Sequence, residues 1–184
     1  MYPASPYGIS KVYAHKTAQH YREAYEMFIS CGILFNHESP FRGLEFVTRK
    51  ITYSIARILK NKKDKIVLGN IKSKRDWGFA GDYVKAMWLM LQQDNPKDYV
   101  VATGESHSVE DFLEKAFQYV GIDNWRKYVS IDEKFMRPQD IDNLIGDSSK
   151  AKKELGWTSS VSYEELVKMM IDEDKRMFEV NPYY

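Results

Sequence analysis

Residues 30–36 (Ser-Cys-Gly-Ile-Leu-Phe-Asn) form a short, continuously apolar run directly after a long proline-free stretch of helix formers, and this order constrains the fold more than any other feature. A strand without polar alternation belongs in a sheet covered on both faces, and a helix leading into such a strand points to α/β architecture. The stretch before it, residues 8–28, predicts a helix that starts near Pro6 and buries Val12, Ala18 and Tyr25.

Further along, the spacing of Val47, Ile51, Ile55, Ile58 and Leu59 predicts a helix over residues 46–60, followed by a short strand at 66–68 that ends at Gly69. Residues 80–93 predict an amphipathic helix closed by Asn95-Pro96, and residues 99–102 a strand. Ser108 opens a helix with an acidic first turn (Glu110, Asp111) that stops at Gly121. A strand at 128–131 and helices at 148–155 and 162–178 complete the pattern. No repeat or linker divides residues 1–184. None of the ten glycines falls into a Gly-x-Gly-x-x-Gly turn, so the opening βαβ unit of a dinucleotide-binding sheet is missing from the pattern.

A formal charge of +1 supplies no field for nucleic-acid or membrane attraction, so any anion site has to be local. No apolar run approaches the ~18–20 residues of a membrane helix, and the amino terminus lacks a secretion-signal progression, which makes the cytoplasm the expected compartment. Cys31, with no partner for an internal disulfide and apolar neighbours, is expected to be a small buried side chain. His15, His20 and His107 show no metal-ligand spacing, and no metal site is expected.

Tyr7 and Lys11 stand one helical turn apart. A nearby ammonium favours a phenolate, the form that can take a proton from a sugar hydroxyl. Alone the spacing is uninformative, because a chain this rich in both residue types produces such a pair by chance. The surrounding string Ser5-Pro6-Tyr7-Gly8-Ile9-Ser10-Lys11 resembles a segment of extended short-chain dehydrogenases acting on nucleotide sugars. Further strings resemble one branch, the GDP-mannose 4,6-dehydratase family. They are Gly32 to Pro40 with Arg42-Gly43, Phe46 to Thr52, Lys74 to Gly78 with Ala80 to Val84, and Ala102 to Glu105 with His107 to Val109. Arg137-Pro138, Asp142 to Asp147 and Lys152 to Trp157 extend the likeness over essentially the whole chain.

The resemblance implies the carboxyl-terminal part of a Rossmann-like extended short-chain dehydrogenase fold, interleaved with a smaller substrate-binding subdomain and without the first βαβ units. It implies Tyr7 as the acid/base at the sugar C4 hydroxyl and Lys11 as its electrostatic and cofactor-ribose partner. It further implies His37 and Arg42 as contacts to NADP, and Asn36, Lys50, Arg75, Arg137 and Asp140 as contacts to a GDP-sugar. Arginine suits a diphosphate because its planar fork makes paired charge-assisted bonds; the plainer alternative is a surface salt bridge for Arg75 and Arg137 and a solvated helix face for Lys50. The implied reaction converts GDP-mannose to GDP-4-dehydro-6-deoxymannose and water. The carboxylate and hydroxyl it needs at C5 and C6 precede the tyrosine in the family, so the chain alone is expected to be inactive and to associate into a homo-oligomer. A GDP-heptose dehydratase, a GDP-sugar epimerase or reductase, and a noncatalytic nucleotide-binding or oligomerisation domain remain open alternatives. The sequence departs from the family at Phe41, where a second arginine is usual, at Phe79, where histidine is usual, and at Asp140, where glutamate is usual.

Overall fold

A computed structural model describes residue 3 and residues 5–60, 65–136 and 141–180. Helix α1 (Pro6–Tyr25) starts where the Ser5 hydroxyl accepts the Gly8 amide at 3.0 Å and Pro6 occupies a position that needs no amide donor. Strands β1 (Gly32–Leu34) and β2 (Asn36–Glu38) follow, then helix α2 (Val47–Lys60) and strands β3 (Ile66–Leu68), β4 (Lys74–Arg75) and β5 (Trp77–Phe79). Helix α3 (Ala80–Met90) leaves β5 without a loop. Strands β6 (Tyr99–Val101) and β7 (His107–Ser108), helix α4 (Val109–Tyr119), strand β8 (Val129–Ile131) and helices α5 (Ser149–Leu155) and α6 (Tyr163–Val180) complete the order.

The strands pair as β1 with β6, β2 with β5 and β3 with β8, all parallel, and β4 with β7 antiparallel. The apolar run at 30–36, expected as one strand, is therefore two. The chain changes partner at Phe35, whose amide donates to the Val101 carbonyl at 3.0 Å before Asn36 comes opposite Trp77. Apolar continuity reports burial and carries no information on which neighbour each half pairs with.

Two apolar clusters hold the fold. One joins α2 (Ile51, Ile55, Ile58), α4 (Phe112, Leu113, Phe117) and α6 (Leu166, Met170, Ile171) against β3 and Trp77. The other packs α3 and β6 on α5 through Tyr83, Met90, Tyr99, Val101 and Trp157. Each fully buried aliphatic or aromatic side chain in them contributes roughly 1.5–3 kcal/mol relative to exposure.

Helix α1 corrects a sequence expectation. It has no buried residue: Val12 and Ala18 are half-buried and Tyr25 is exposed, because the described chain offers the helix only a polar anchor. That anchor is Asp98, which accepts from Arg22 at 2.7 and 3.3 Å and from Gln19 at 3.0 Å, while Arg22 also donates to the Ile29 carbonyl at 3.0 Å. The hydrogen bonds from Arg22 hold the Asp98 carboxyl far below the usual carboxylate range. A group depressed on folding stabilises fully above its unfolded pKa, ~3.9 for aspartate, and loses that contribution as pH falls. Acid titration followed by near-UV dichroism of the α1 tyrosines is therefore expected to show α1 loosening below about pH 4, ahead of the core. Asp98→Asn should lack that early phase, and an unchanged acid profile in this variant would count against the anchor.

Candidate functional site

A cleft of about 340 Å³ opens between the carboxyl end of β2, the first turn of α2 and the end of β3. Alternation along β2 turns Asn36 and Glu38 toward it and His37 away. Phe46, Val47 and Lys50 supply the α2 wall, Arg75 and Trp77 come from β4 and β5, and Phe135 closes the rim. The amino end of a helix at a cleft wall favours an anion, and Arg42, Lys50 and Arg75 add three cations around the same space.

These cations are held rather than loose. The Arg42 Nε lies 3.1 Å from a Glu38 carboxylate oxygen, and its guanidinium sits 3.4 Å over the Phe46 ring. Glu38 is buried, accepts the Thr48 hydroxyl at 2.7 Å, and has its carboxyl pushed up by burial against the opposing pull of Thr48 and Arg42. Lys50 donates to the Val67 carbonyl at 2.6 Å and lies 4.6 Å over Phe135. Arg75 donates to the carbonyls of Lys74 and Ile141 at 2.7 and 2.6 Å. Such preset cations lose little rotamer freedom when an anion arrives.

The residues expected from the sequence fall into three groups. Asn36, Arg42, Lys50 and Arg75 share the cleft. His37 lies on the other face of β2, its Nδ1 2.9 Å from the Phe35 carbonyl oxygen and its ring stacked 4.9 Å from Tyr83. Tyr7 and Lys11 form a pair of their own on the first turns of α1, with the ammonium 5.3 Å from the ring centroid and Tyr7 72% exposed. Neither lines the cleft. Arg137 and Asp140 lie outside the described residues. The ammonium and phenol on α1 and the imidazole on β2 are groups whose chemistry suits the hydroxyls and amide of a nicotinamide riboside; the described residues contain no glycine-rich turn for its pyrophosphate.

Sequence reasoning passed over Glu38, Phe46, Phe135 and Asp76. For Asp76 a signal existed: in a strand, the residue between Arg75 and Trp77 points to the opposite face, and there a carboxylate needs several donors. It also assigned His15 nothing and Cys31 an apolar pocket. Both stand beside Asp98, the candidate ligand atoms of the three lying within 4.8 Å of one another. Cys31 is half-buried with its thiol pushed up mainly by desolvation, and Asp98 is already engaged by Arg22 and Gln19. At the other departure, Phe41 projects into solvent at 93% exposure where an arginine was the expected residue. Among the described residues no helix is long and apolar enough to cross a membrane.

The sequence profile described as GDP-mannose 4,6 dehydratase matches residues 1–170. The chain belongs to this family. GDP-mannose 4,6 dehydratase 2 of Arabidopsis thaliana is 59% identical over 173 residues, covering 94% of this chain and 46% of its own length. The human GDP-mannose 4,6 dehydratase is 46% identical over 197 residues, covering 98% of this chain and 53% of its own. The chain thus spans about half the length of the curated dehydratases it matches. Among solved structures, RMD from Pseudomonas aeruginosa, complexed with NADPH, superposes with a TM-score of 0.84 at 17% identity over 95% of this chain and 57% of that one. The dTDP-glucose 4,6-dehydratase of Bacillus anthracis, in complex with NAD, gives 0.84 at 18% over 100% and 55%. At such identities these two establish the fold of this dehydratase-family chain, the Rossmann-like extended short-chain dehydrogenase arrangement, over about half of each neighbour.

Proposed function

We propose that this chain is the substrate-recognising half of a cytoplasmic, NADP-dependent GDP-mannose 4,6-dehydratase. The single observation that carries the reading is the convergence of Asn36, Arg42, Lys50 and Arg75 on one cleft, in a chain that matches GDP-mannose 4,6 dehydratases along nearly its whole length. Arg75 and Lys50 bind the diphosphate, Asn36 orients the sugar, and Arg137 and Asp140 complete the nucleotide contacts. Lys11 holds the cofactor ribose, and His37 and Arg42, on opposite faces of β2, make separate contacts to NADP. Tyr7 takes the proton from the C4 hydroxyl as that carbon is oxidised, with the Lys11 ammonium one turn away stabilising the phenolate. When bound, the nicotinamide supplies the hydride acceptor for C4 and the hydride donor for C6. The exposed aromatic residues Tyr13, Tyr21 and Tyr25 of α1 pack in a homo-oligomer, leaving Tyr7 at the start of the helix for the sugar.

The full-length enzyme carrying these residues, supplied with GDP-mannose and NADP, is expected to yield a product one water lighter than the substrate by mass spectrometry. An isomer of unchanged mass would assign it to the epimerases instead. For the isolated chain the expected result is GDP-mannose binding without turnover. Arg75→Met is expected to weaken that binding about 10- to 100-fold by calorimetry, the loss of one charge-assisted pair at ~1.5–3 kcal/mol. Unchanged affinity in Arg75→Met would remove the diphosphate from this cleft. The exposure of Tyr7, away from the cleft, favours one second reading, in which the chain by itself serves as a GDP-sugar-binding module. The Tyr7 variant described below separates the two.

A further inference from the structure

Arg49 sits in the first turn of α2 and is 4% exposed, one residue from Lys50 in sequence and outside the residues that line the cleft. Its guanidinium is spread over two segments far apart in the chain. Nε and Nη2 each lie 2.8 Å from the same carboxylate oxygen of Asp174, on α6. Nη1 donates to the carbonyl of Arg42 at 3.1 Å and to that of Pro40. Asp174 is 0% exposed and accepts the Thr52 hydroxyl through its other oxygen at 2.7 Å.

A buried ion pair of this kind adds little net stability over an apolar pair of the same shape, yet it fixes geometry, because every partner has to be met at once. What it fixes here is the backbone of residues 39–43. That loop turns on the bond from the Arg42 amide to the Ser39 carbonyl at 3.0 Å, and it delivers the Arg42 side chain to Glu38 and Phe46 at the cleft wall. Thr48, the neighbour of Arg49, holds Glu38 at 2.7 Å. One turn of α2 therefore grips the loop twice, by its carbonyls through Arg49 and by its arginine through Thr48 and Glu38. The grip on the carbonyls is braced from behind by the last helix of the described chain.

We infer that Arg49 and Asp174 are positioning residues for the nucleotide cleft: α6 aims the Arg49 fork, and the fork sets the loop that carries Arg42. A lysine at 49 keeps the charge opposite Asp174, but one ammonium cannot span a carboxylate and two carbonyls as a planar guanidinium does. The recognition part of this inference rests on the proposed function; the mechanical part does not.

The test uses the whole chain with Arg49→Lys, Asp174→Asn and the wild type. Amide hydrogen exchange at residues 41–43 is expected to quicken about tenfold in Arg49→Lys, with amides of α4 unchanged. GDP-mannose affinity of the chain, and NADP affinity of the full-length enzyme, should each fall about tenfold in the same variant, while GDP-mannose binding to the wild type serves as the control. Asp174→Asn should give the same loop signature, and if it does not fold, Arg49→Lys still decides. Equal loop exchange in Arg49→Lys and wild type would overturn the inference by leaving the pair a purely structural tie. A loosened loop with both affinities unchanged would overturn the recognition role. A wild-type chain that does not bind GDP-mannose would defeat the proposed function, and the exchange result would then stand or fall by itself.

Discussion

In the full-length enzyme, Tyr7→Phe is expected to lower turnover of GDP-mannose by about 10²–10⁴-fold while changing its affinity by no more than about twofold, the signature of a lost acid/base. The substitution removes one oxygen and nothing else. Tyr7 is 72% exposed, and its hydroxyl takes part in none of the bonds that hold α1, which run instead through Ser5 at the start and Arg22, Gln19 and Asp98 near the end. Folding therefore gives no reason for the phenol, and any large effect belongs to chemistry. Lys11→Met should follow it in direction, because it removes the cation that stands 5.3 Å from the ring. A Tyr7→Phe enzyme with ordinary turnover would leave the chain as a binding module.

The second large effect is on stability. Asp76→Ala is expected to cost about 3–5 kcal/mol, because removing the shared acceptor of a buried hydrogen-bond network leaves several donors unmet at ~1–3 kcal/mol each. The carboxylate is 0% exposed and accepts the Thr103 amide at 2.9 Å, the Thr103 hydroxyl at 2.7 Å, the Gly104 amide at 3.0 Å and the Gly146 amide at 3.2 Å. It thereby binds the junction of β4 and β5 to the segment after β6 and to the approach to α5. Alanine would strand three backbone donors, and solvent has little access to Gly146, where even a Cβ would run into Ala102 and Phe35. Urea unfolding is the measurement, with the midpoint expected to move down by roughly 2 M. A shift within experimental scatter would mean that the stranded amides find other acceptors. Because Arg75 and Trp77 flank Asp76 and both reach the cleft, the same variant should bind GDP-mannose poorly even where it stays folded.

Much of this architecture is legible in the residues because local chemistry and global packing agree. The spacing of Val47, Ile51, Ile55 and Ile58 gives α2 within a residue, since the stripe that predicts the helix is also the face that meets α4 and α6. Gly121 ends α4 as expected, at φ 76°, a conformation open to glycine at no cost. Where the sequence misleads, the deciding partner lies elsewhere in the chain. Nothing in Ser-Cys-Gly-Ile-Leu-Phe-Asn says that Gly32–Leu34 will meet Tyr99–Val101 while the chain from Asn36 onward meets Trp77–Phe79. Nothing in α1 says that its tyrosines will find no apolar cover, or that Asp98 will be its anchor.

The site shows the same division. Resemblance pointed to Asn36, Arg42, Lys50 and Arg75, and the cleft unites them. It could not point to Arg49 or Asp174, whose importance is a matter of contact between segments 125 residues apart. Periodicity marks both as ordinary polar positions on helices, and only the packing of α2 on α6 turns them inward.

Every ladder among the described residues joins strands distant in sequence: Gly32 to Tyr99, Asn36 to Trp77, Ile66 to Val129 and Lys74 to Ser108. Such pairing carries a heavy loop-closure entropy before any reward arrives, which slows self-assembly. In synthesis β1 would wait for its partner β6 until residue 101 had emerged, and the Arg49 clasp would stay open until α6 was out. Each strand that waits is meanwhile an open edge at which copies can associate off the folding path.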